Sequence, residues 1–494
     1  MNEETLDPKD WSSMAELGHR MVDDMVVYLK SVRDRPVWTH IPDQVKARFR
    51  ESLPLDPQPL EDVYEEFLKY VLPYPVGNIH PRFWGWVIGT GTVSGAFAEL
   101  LSASMNTNTG GLDHHSANHV EKQLILWLQE IFHFPASASG VLTSGCSAAN
   151  LIALAVARNA KADGNIRRRG LQGTDRMMTL YGSEEIHSSV PKAVELLGLG
   201  SDALRQIPVN DRFQIDIEKL REAISKDRSQ GHLPFCVIGA AGTINTGASD
   251  DLNALAELCE QEGLWFHVDG AFGAWAILTP SGKDQVSGIE RADSLALDLH
   301  KWMYMPYEIG CVLVRSEQEH RSTFSLTPAY LAHGEGGSGL TGGDLPWFSD
   351  YGFQLSRGFR ALKAWMSLKE HGIRKYGRLI EQNILQARYL ADLVDAKSEL
   401  ELVRPVPLNV VCFRYVGKNR ERPDRDETRL DELNRKILAE LQEGGIAVAS
   451  GTTVRGLYYF HLAITNHRSR REDFDLLLDE VLRIGKELEH KNEL

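Results

Sequence analysis

The chain has 494 residues, of which 43% are hydrophobic, and it carries a formal net charge of −14 at pH 7. A chain of this length usually folds into two or three domains, and its apolar fraction is large enough to fill their cores. The negative charge argues against a broad surface for nucleic acid or an anionic membrane, because such a surface must attract phosphate groups.

The first predicted element is an amphipathic helix over residues 14–30. Its apolar side chains recur at helical spacing, and they are Met14, Leu17, Met21, Met25 and Tyr28. A connector with several prolines follows. Because one helix cannot bury its own apolar stripe, we expect it to pack on another domain or subunit. Packing within its own chain is the alternative.

Strand-like and helix-like segments alternate from about residue 135 to residue 316. The predicted strands are 140–145, 176–183, 234–243, 264–271, 294–299 and 310–315. The predicted helices between them are 147–162, 190–198, 216–227 and 251–263. This alternation predicts a mostly parallel α/β sheet covered by helices, whose ligands bind beyond the carboxyl ends of the strands. A Gly-rich loop follows at 331–347, and the segments after about residue 365 predict a smaller α/β domain.

Two of the predicted strand ends carry groups that suit a charged ligand. After Thr143, the turn Ser144–Ser147 leads into a helix, whose free N–H groups suit a phosphate. The alternative is an ordinary helix cap by Ser147. Asp269 ends another apolar strand, and a buried carboxylate needs a partner. That partner is either a protonated ring nitrogen or a structural arginine or lysine.

Three other strand ends add an imidazole, a hydroxyl and an amine. His187 follows one strand; a lone histidine is more often structural, but an imidazole can also stack on an aromatic ring. Thr243 lies in a turn whose hydroxyl and backbone suit a phosphate. His300 and Lys301 are adjacent and lie just beyond the strand that ends at Asp298. Together these groups favour pyridoxal phosphate, since an amine can form a Schiff base with its aldehyde while the acidic partner of its ring nitrogen makes the ring an electron sink.

The chain resembles the group II pyridoxal-phosphate-dependent amino-acid decarboxylases, and within them the aromatic-L-amino-acid decarboxylase branch. The resemblance covers nearly the whole chain. It is carried by the motifs HPRFWGW, TSGCSAAN, IHSSV, HVDGAFG, LDLHKW, LTPAYL and LSRGFRALKAW. The most specific signal is HKW preceded at the right distance by HVDGA.

The resemblance implies a role for each matching residue. Lys301 matches the Schiff-base lysine, Asp269 the partner of the pyridine nitrogen, and His187 the histidine stacked on the ring. Tyr330 matches a loop tyrosine that protonates the substrate carbon. The other implied cofactor contacts are Cys146, Ser147, Thr243, Ala271, Asp298 and His300, and Asp250 matches the aspartate in the turn after Thr243. No metal is expected.

The resemblance also implies a fold and an assembly. The fold is that of the fold-type I pyridoxal-phosphate enzymes, an α/β architecture with a mostly parallel sheet. The implied divisions are an N-terminal helical dimerisation arm (1–90), a large cofactor-binding domain (91–365) and a small C-terminal domain (366–494). The implied assembly is a homodimer in which the N-terminal helices wrap the partner.

Some positions depart from the pattern of the family. His461 stands where the family aligns an arginine. Trp86, Ile88 and Gly89 stand where it lines the substrate pocket. The stretch 105–117 is small and polar where aromatic-specific enzymes carry bulkier apolar residues. These departures leave the cofactor chemistry intact and concern the substrate side chain.

The predicted activity is decarboxylation of an L-amino acid, with an aromatic substrate favoured. One alternative is oxidative decarboxylation to an aldehyde, but such relatives usually carry phenylalanine at the position of Tyr330. Decarboxylation of a non-aromatic amino acid, an aminotransferase and an inactive binding homologue are the others. The predicted partners are an amino-acid substrate and a second copy of the chain, with neither nucleic acid nor membrane.

The expected location is the cytoplasm. Five scattered cysteines without a CxxC pair indicate reduced thiols rather than disulfides or a zinc site. The polar N-terminus does not resemble a signal peptide. The sequence contains no apolar run long enough to predict a membrane span.

Overall fold

The computed structural model describes residues 3–111, 115–174, 176–326, 347–417 and 426–491. The strands of a large sheet are β1 (Ser139–Thr143), β2 (Met178–Ser183), β3 (Leu204–Ile207), β4 (Leu233–Ala240), β5 (Trp265–Asp269), β6 (Ser294–Asp298) and β7 (Gly310–Val314). A second sheet, called the C-terminal sheet below, contains β8 (Leu400–Leu402), β9 (Val410–Tyr415), β10 (Ser450–Val454) and β11 (Leu457–Ala463).

The helices precede, alternate with and follow these strands. Those up to β4 are α1 (Trp11–Lys30), α2 (Asp43–Arg48), α3 (Leu60–Glu66), α4 (Val93–Met105), α5 (Ser116–Ile131), α6 (Cys146–Lys161), α7 (Ile166–Arg169), α8 (Ser189–Leu196) and α9 (Ile217–Ser229). Those after β4 are α10 (Leu252–Glu262), α11 (Glu317–Phe324), α12 (Ala361–His371), α13 (Ile373–Asp395), α14 (Glu427–Glu443) and α15 (Arg471–Lys491).

The large sheet brings several strand ends to one edge. Its strand order is β1–β7–β6–β5–β4–β2–β3. The pairs from β3 to β6 are parallel, whereas β7 runs antiparallel to both β6 and β1. β1 therefore runs in the direction of β6, and the last residues of β1, β4, β5 and β6 share an edge; they are Thr143, Ala240, Asp269 and Asp298. The predicted α/β fold with a mostly parallel sheet is confirmed.

Both faces of the large sheet are covered, which explains why its central strands are apolar runs. All residues of β5 and β6 are buried. Helices α6 and α8 pack on one face, and α5, α9 and α10 pack on the other. The predicted strands and helices correspond to these elements; β3 was not predicted, because it has only four residues and most of them are partly exposed.

The C-terminal sheet is antiparallel and has the order β10–β11–β9–β8. An irregular segment, residues 83–89, crosses beside it and bends at residues 85–87. The Trp84 N–H donates to the Val448 carbonyl at 2.7 Å, and the Ala463 N–H donates to the Trp84 carbonyl at 2.9 Å. The segment ends against the large sheet, where a Cβ atom on Gly89 would lie 1.8 Å from the His300 carbonyl oxygen. Only glycine fits there.

Helix α1 begins three residues before the predicted start, because the Asp10 carboxylate caps it by accepting from the N–H groups of Ser12 and Ser13. None of its twenty described residues is fully buried. The predicted apolar stripe is half-buried, while Trp11 and Val27 are exposed. The predicted domain boundaries at residues 90 and 365 stay a prediction.

Three broader features concern the described ranges as a whole. The five cysteines are all buried and unpaired. Within these ranges, no group of three His, Cys, Asp or Glu side chains has the geometry to hold a metal ion. Of the helices they contain, none has both the length and the apolar character of a membrane span.

Candidate active site

Lys301 lies beside Asp298 at the C-terminal edge of the large sheet. The Lys301 Nζ atom is 3.0 Å from Asp298 Oδ2, and Asp298 Oδ1 accepts a hydrogen bond of 2.7 Å from the Cys146 backbone N–H. Asp298 thus joins the lysine to the first turn of α6. Burial is the largest single influence and disfavours the ammonium form of Lys301. The charge and hydrogen bond of Asp298, together with Cys146 and Asp269, nevertheless outweigh burial and raise the lysine pKa above its ordinary value.

Asp269, one strand away, has neutral hydrogen-bond donors. Its Oδ2 atom accepts from Asn150 Nδ2 at 2.9 Å. Its Oδ1 atom accepts from the Ala271 N–H at 3.2 Å and from Cys146 Sγ at 3.6 Å. Among the residues that the structure describes, no lysine, arginine or histidine nitrogen lies within 4.0 Å of this carboxylate. Asp269 can therefore accept one more donor, and a cationic donor would suit it best.

A relay of hydrogen bonds that starts at Trp265 and ends at Asn150 orients the Asp269 carboxylate. Trp265 Nε1 donates to Ser294 Oγ at 2.8 Å, and Ser294 Oγ is 2.9 Å from His267 Nδ1. His267 Nε2 is 2.9 Å from Asn150 Oδ1. Because this amide oxygen can only accept, His267 carries its proton on Nε2. Burial lowers the pKa of His267 to about 4, so the relay is uncharged at neutral pH.

Asn150 connects the same relay to His187. Its Nδ2 atom donates to Ser189 Oγ at 3.0 Å as well as to Asp269. Ser189 Oγ is 2.8 Å from His187 Nδ1, and the Ser189 N–H points at the same nitrogen. His187 Nδ1 is therefore an acceptor, and burial lowers the pKa of this histidine. One amide thus fixes both the carboxylate and a neutral imidazole.

His300 is held from three sides. Its Nδ1 atom is 2.9 Å from the Ile309 carbonyl oxygen, and its Nε2 atom is 3.7 Å from Asp298 Oδ2. Its ring lies 4.5 Å from the ring of Tyr307, measured between centroids. Burial lowers the pKa of His300. These contacts fix the backbone that carries Lys301.

The remaining predicted residues lie around this group. Ala271 lies between the two carboxylates, since its N–H donates to Asp269 and its carbonyl accepts from the Asp298 N–H. Ser147 is exposed in the first turn of α6. Thr243 lies in the turn after β4, and its Oγ1 atom is 3.1 Å from Thr246 Oγ1.

Asp250, also in that region, is buried and accepts from the N–H groups of Ile215 at 2.7 Å and Ala240 at 2.8 Å. Burial raises its pKa to about 6. Asp250 thus ties the end of β4 to the chain before α9. Tyr330 lies outside the described residues, as do residues 112–114 of the polar stretch.

Three residues orient the predicted site residues but were not predicted from the sequence. They are Asn150, Ser189 and His267, and the sequence carries a signal for two of them. Asn150 is a polar residue among the buried residues of α6, which are otherwise apolar. His267 is two residues before Asp269 and so shares a strand face with it.

The family model described as the pyridoxal-dependent decarboxylase conserved domain matches residues 42–416. The chain belongs to this family. The decarboxylase is 33% identical to the aromatic-L-amino-acid decarboxylase of Bacillus atrophaeus over 477 residues, 96% of each chain. It is 26% identical to the phenylacetaldehyde synthase of Petunia hybrida over 471 residues, 93% of this chain and 91% of the relative.

A solved structure has the same fold. The crystal structure of Oryza sativa TDC with PLP and tryptamine superposes with a TM-score of 0.89 at 25% identity, covering 98% of this chain and all of that one. The protein is therefore a pyridoxal-phosphate-dependent amino-acid decarboxylase of fold-type I, as the motifs predicted.

The site fits this cofactor on its own geometry. A buried carboxylate with neutral donors suits a protonated pyridine nitrogen, and an amine lies on the neighbouring strand end. Glycine at position 145, just before α6, lets the chain pass close to His300, since a Cβ atom there would lie 3.2 Å from His300 Cε1. The site thus offers an amine, a carboxylate, an imidazole and a helix N-terminus, which are groups that suit pyridoxal phosphate.

Proposed function

We propose that this enzyme decarboxylates an aromatic L-amino acid and releases the corresponding amine and carbon dioxide. The proposal depends on the arrangement at two neighbouring strand ends. Asp269 has neutral hydrogen-bond donors, and Lys301 lies beside Asp298. The aromatic preference is supported by the 33% identity to a curated aromatic-L-amino-acid decarboxylase. It is also supported by the indole of Trp86, which is 53% exposed and lies three residues before Gly89, the residue that packs against the backbone of His300 and Lys301.

Bound pyridoxal phosphate supplies an aldehyde that condenses with amines and a ring that withdraws electrons from the bond being broken. Lys301 is the amine that would attach it, and Asp269 would keep the ring nitrogen protonated. His187 and Ala271 would hold the ring. Ser147, the helix start at Cys146 and Thr243 would hold the phosphate.

The chain also holds and moves protons. Lys301 must lose a proton from Nζ before it can act as a nucleophile, and Asp298 is the carboxylate nearest to that atom, at 3.0 Å. His300 supports this arrangement through its contact with Asp298. Tyr330 donates the proton that replaces the departing carboxylate at the substrate Cα.

Oxidative conversion of the amino acid to an aldehyde is the second candidate. It is favoured by the 26% identity to a phenylacetaldehyde synthase over 93% of the chain. In this reaction the amino acid, dioxygen and water give the aldehyde, carbon dioxide, ammonia and hydrogen peroxide. Tyr330 favours the amine product, because its phenol supplies the proton that ends the reaction before oxygen can react.

We also propose a cytoplasmic homodimer. Helix α1 leaves Trp11, Val26 and Val27 exposed, and α4 leaves Phe97 and Leu100 exposed. A second copy of the chain would cover these apolar side chains. Sedimentation of the purified protein at several concentrations tests this: a particle of twice the chain mass supports it, and a monomer at all concentrations contradicts it.

A substrate panel tests the reaction. The holoenzyme is incubated with L-tryptophan, L-tyrosine, L-phenylalanine, L-glutamate and L-2,4-diaminobutyrate. Carbon dioxide, amine, aldehyde and oxygen are measured in each case. We expect carbon dioxide and amine in equal amounts from an aromatic member, without oxygen uptake. Turnover of a non-aromatic member alone would refute the aromatic preference, and oxygen uptake with aldehyde would favour the second candidate.

A further inference from the structure

His461 connects two parts of the chain that meet at the active site. It lies on β11 and is 3% exposed. Its Nε2 atom is 2.7 Å from the Ile244 carbonyl oxygen, and its Nδ1 atom is 3.0 Å from Ser450 Oγ. Because the carbonyl can only accept, the ring proton is on Nε2, and Nδ1 accepts from the Ser450 hydroxyl.

Ser450 continues the connection to the substrate side. Its Oγ atom accepts a hydrogen bond of 2.9 Å from the Trp86 backbone N–H. Trp86 has φ of 52°, a left-handed conformation that is costly for a residue with a side chain. This hydrogen bond therefore helps to hold Trp86 in a strained conformation, three residues before the contact of Gly89 with His300 and Lys301.

The other end of the connection is the turn after β4. Ile244 directly follows Thr243, and the same turn has further contacts with the C-terminal sheet. Asn245 accepts from Thr452 Oγ1 at 2.8 Å through its side chain and from Cys412 Sγ at 3.1 Å through its carbonyl oxygen. The turn that carries Thr243 is thus held against the C-terminal sheet rather than by the large sheet alone.

We propose that His461 and Ser450 are positioning residues with separable effects, His461 on the cofactor turn at Thr243 and Ser450 on the substrate segment at Trp86. This proposal rests on the proposed function, in which Thr243 contacts the phosphate and Trp86 lines the substrate pocket. Neither residue touches the reacting atoms. An imidazole is suited to the task because its two nitrogens donate in one direction and accept in the other.

Three substitutions separate the contact of His461 with Ile244 from its contact with Ser450. His461→Asn keeps an acceptor near the Nδ1 position and loses the donor to Ile244. His461→Gln keeps a donor near the Nε2 position and loses the acceptor for Ser450. Ser450→Ala removes the acceptor for the Trp86 N–H. We expect about three- to tenfold weaker binding of pyridoxal phosphate in His461→Asn, and a KM raised by a similar factor in Ser450→Ala and His461→Gln.

His320 provides a matched control. It is also buried, with Nε2 2.7 Å from the Tyr351 carbonyl oxygen and Nδ1 2.9 Å from Ser139 Oγ. The substitution His320→Asn removes the same kind of hydrogen bond at the opposite end of β1. We expect it to lower Tm without changing cofactor affinity or KM.

The measurements are the affinity of each full-length, cofactor-free chain for pyridoxal phosphate, the KM and kcat of each holoenzyme, and Tm. The proposal is supported if His461→Asn weakens cofactor binding while Ser450→Ala and His461→Gln raise KM. It is overturned if His461→Asn lowers Tm as His320→Asn does but leaves cofactor affinity within twofold of the wild type. If His461→Asn does not fold, His461→Gln and Ser450→Ala decide: an unchanged KM in both overturns the proposal.

Different results would contradict the proposed function and the positioning role of His461. If the wild-type enzyme turns over no aromatic amino acid, the proposed function fails, while cofactor affinity still tests His461. If the wild type behaves as proposed and the variants show no split, only the positioning role fails.

Discussion

The substitution Asp269→Asn tests the electronic role of the site, because it removes a charge and keeps the shape of the side chain. Asp269 accepts from Asn150 on one oxygen and from the Ala271 N–H on the other. The side-chain oxygen of an asparagine can accept from one of these donors, but its NH2 group then faces the other donor. This mismatch costs about 1–3 kcal/mol of stability. The cost is partly offset, since a neutral amide is easier to bury than a carboxylate.

The effect on catalysis has a different origin. A carboxylate that pairs with a protonated ring nitrogen contributes a charge-assisted hydrogen bond, which is worth about 1.5–3 kcal/mol. If this interaction strengthens as electrons move into the ring, its loss falls on the transition state. We therefore expect kcat to fall by roughly 10- to 150-fold at saturating pyridoxal phosphate.

The assay measures kcat, cofactor affinity and Tm for Asp269→Asn and for a control, Asp293→Asn. Asp293 Oδ2 accepts from the Phe266 N–H at 2.8 Å near the opposite ends of β5 and β6. The control should lose stability and keep kcat within about twofold, since no reacting group is near. A kcat close to the wild-type value in cofactor-saturated Asp269→Asn would refute the reasoning.

Borohydride should fix pyridoxal phosphate to Lys301 in the wild type, and Lys301→Ala should lose that label; labelling of another lysine would contradict the assignment. Tyr330→Phe should produce aldehyde and consume oxygen instead of releasing amine, and wild-type amine production would remove Tyr330 from its role. Burial and the charge of Arg82 lower the pKa of His80 from 6.5 to about 4, so the stability that its neutral form contributes is present above pH 6.5 and is lost as pH falls toward 4. The Tm of His80→Gln should therefore fall less than that of the wild type between pH 7 and pH 5, and an equal fall in both would refute this.

The strand ends were predictable because their signals are local. An apolar run that stops at a charged residue indicates the C-terminal end of a buried strand, and the parallel order of the sheet then brings Asp269 and Asp298 to the same edge. Lys301 follows Asp298 by three residues, so the sequence alone indicated their proximity. The alternation of strands and helices predicted the sheet in the same way.

The residues that hold the site together were less predictable, because their partners are distant in the chain. Asn150 meets Asp269 across 119 residues, and Trp86 meets Ser450 across 364. No periodicity or motif encodes such pairs; they depend on how helix α6 and the C-terminal sheet pack. His461 was recognised only as a departure from the family pattern, and its hydrogen bonds to Ser450 and Ile244 became visible only in the fold.

The two carboxylates at this edge illustrate how neighbouring strand ends acquire different chemistry. Asp298 already has a cation 3.0 Å away in Lys301 and a backbone donor in Cys146, so its charge is balanced within the chain. Asp269 has an amide, a backbone N–H and a thiol, which orient its oxygens without balancing its charge. A cationic ring nitrogen therefore gains more from Asp269 than from Asp298. In the proposed mechanism, the partners of each carboxylate, rather than the carboxylates themselves, would thus determine which one supports the ring and which one controls the amine.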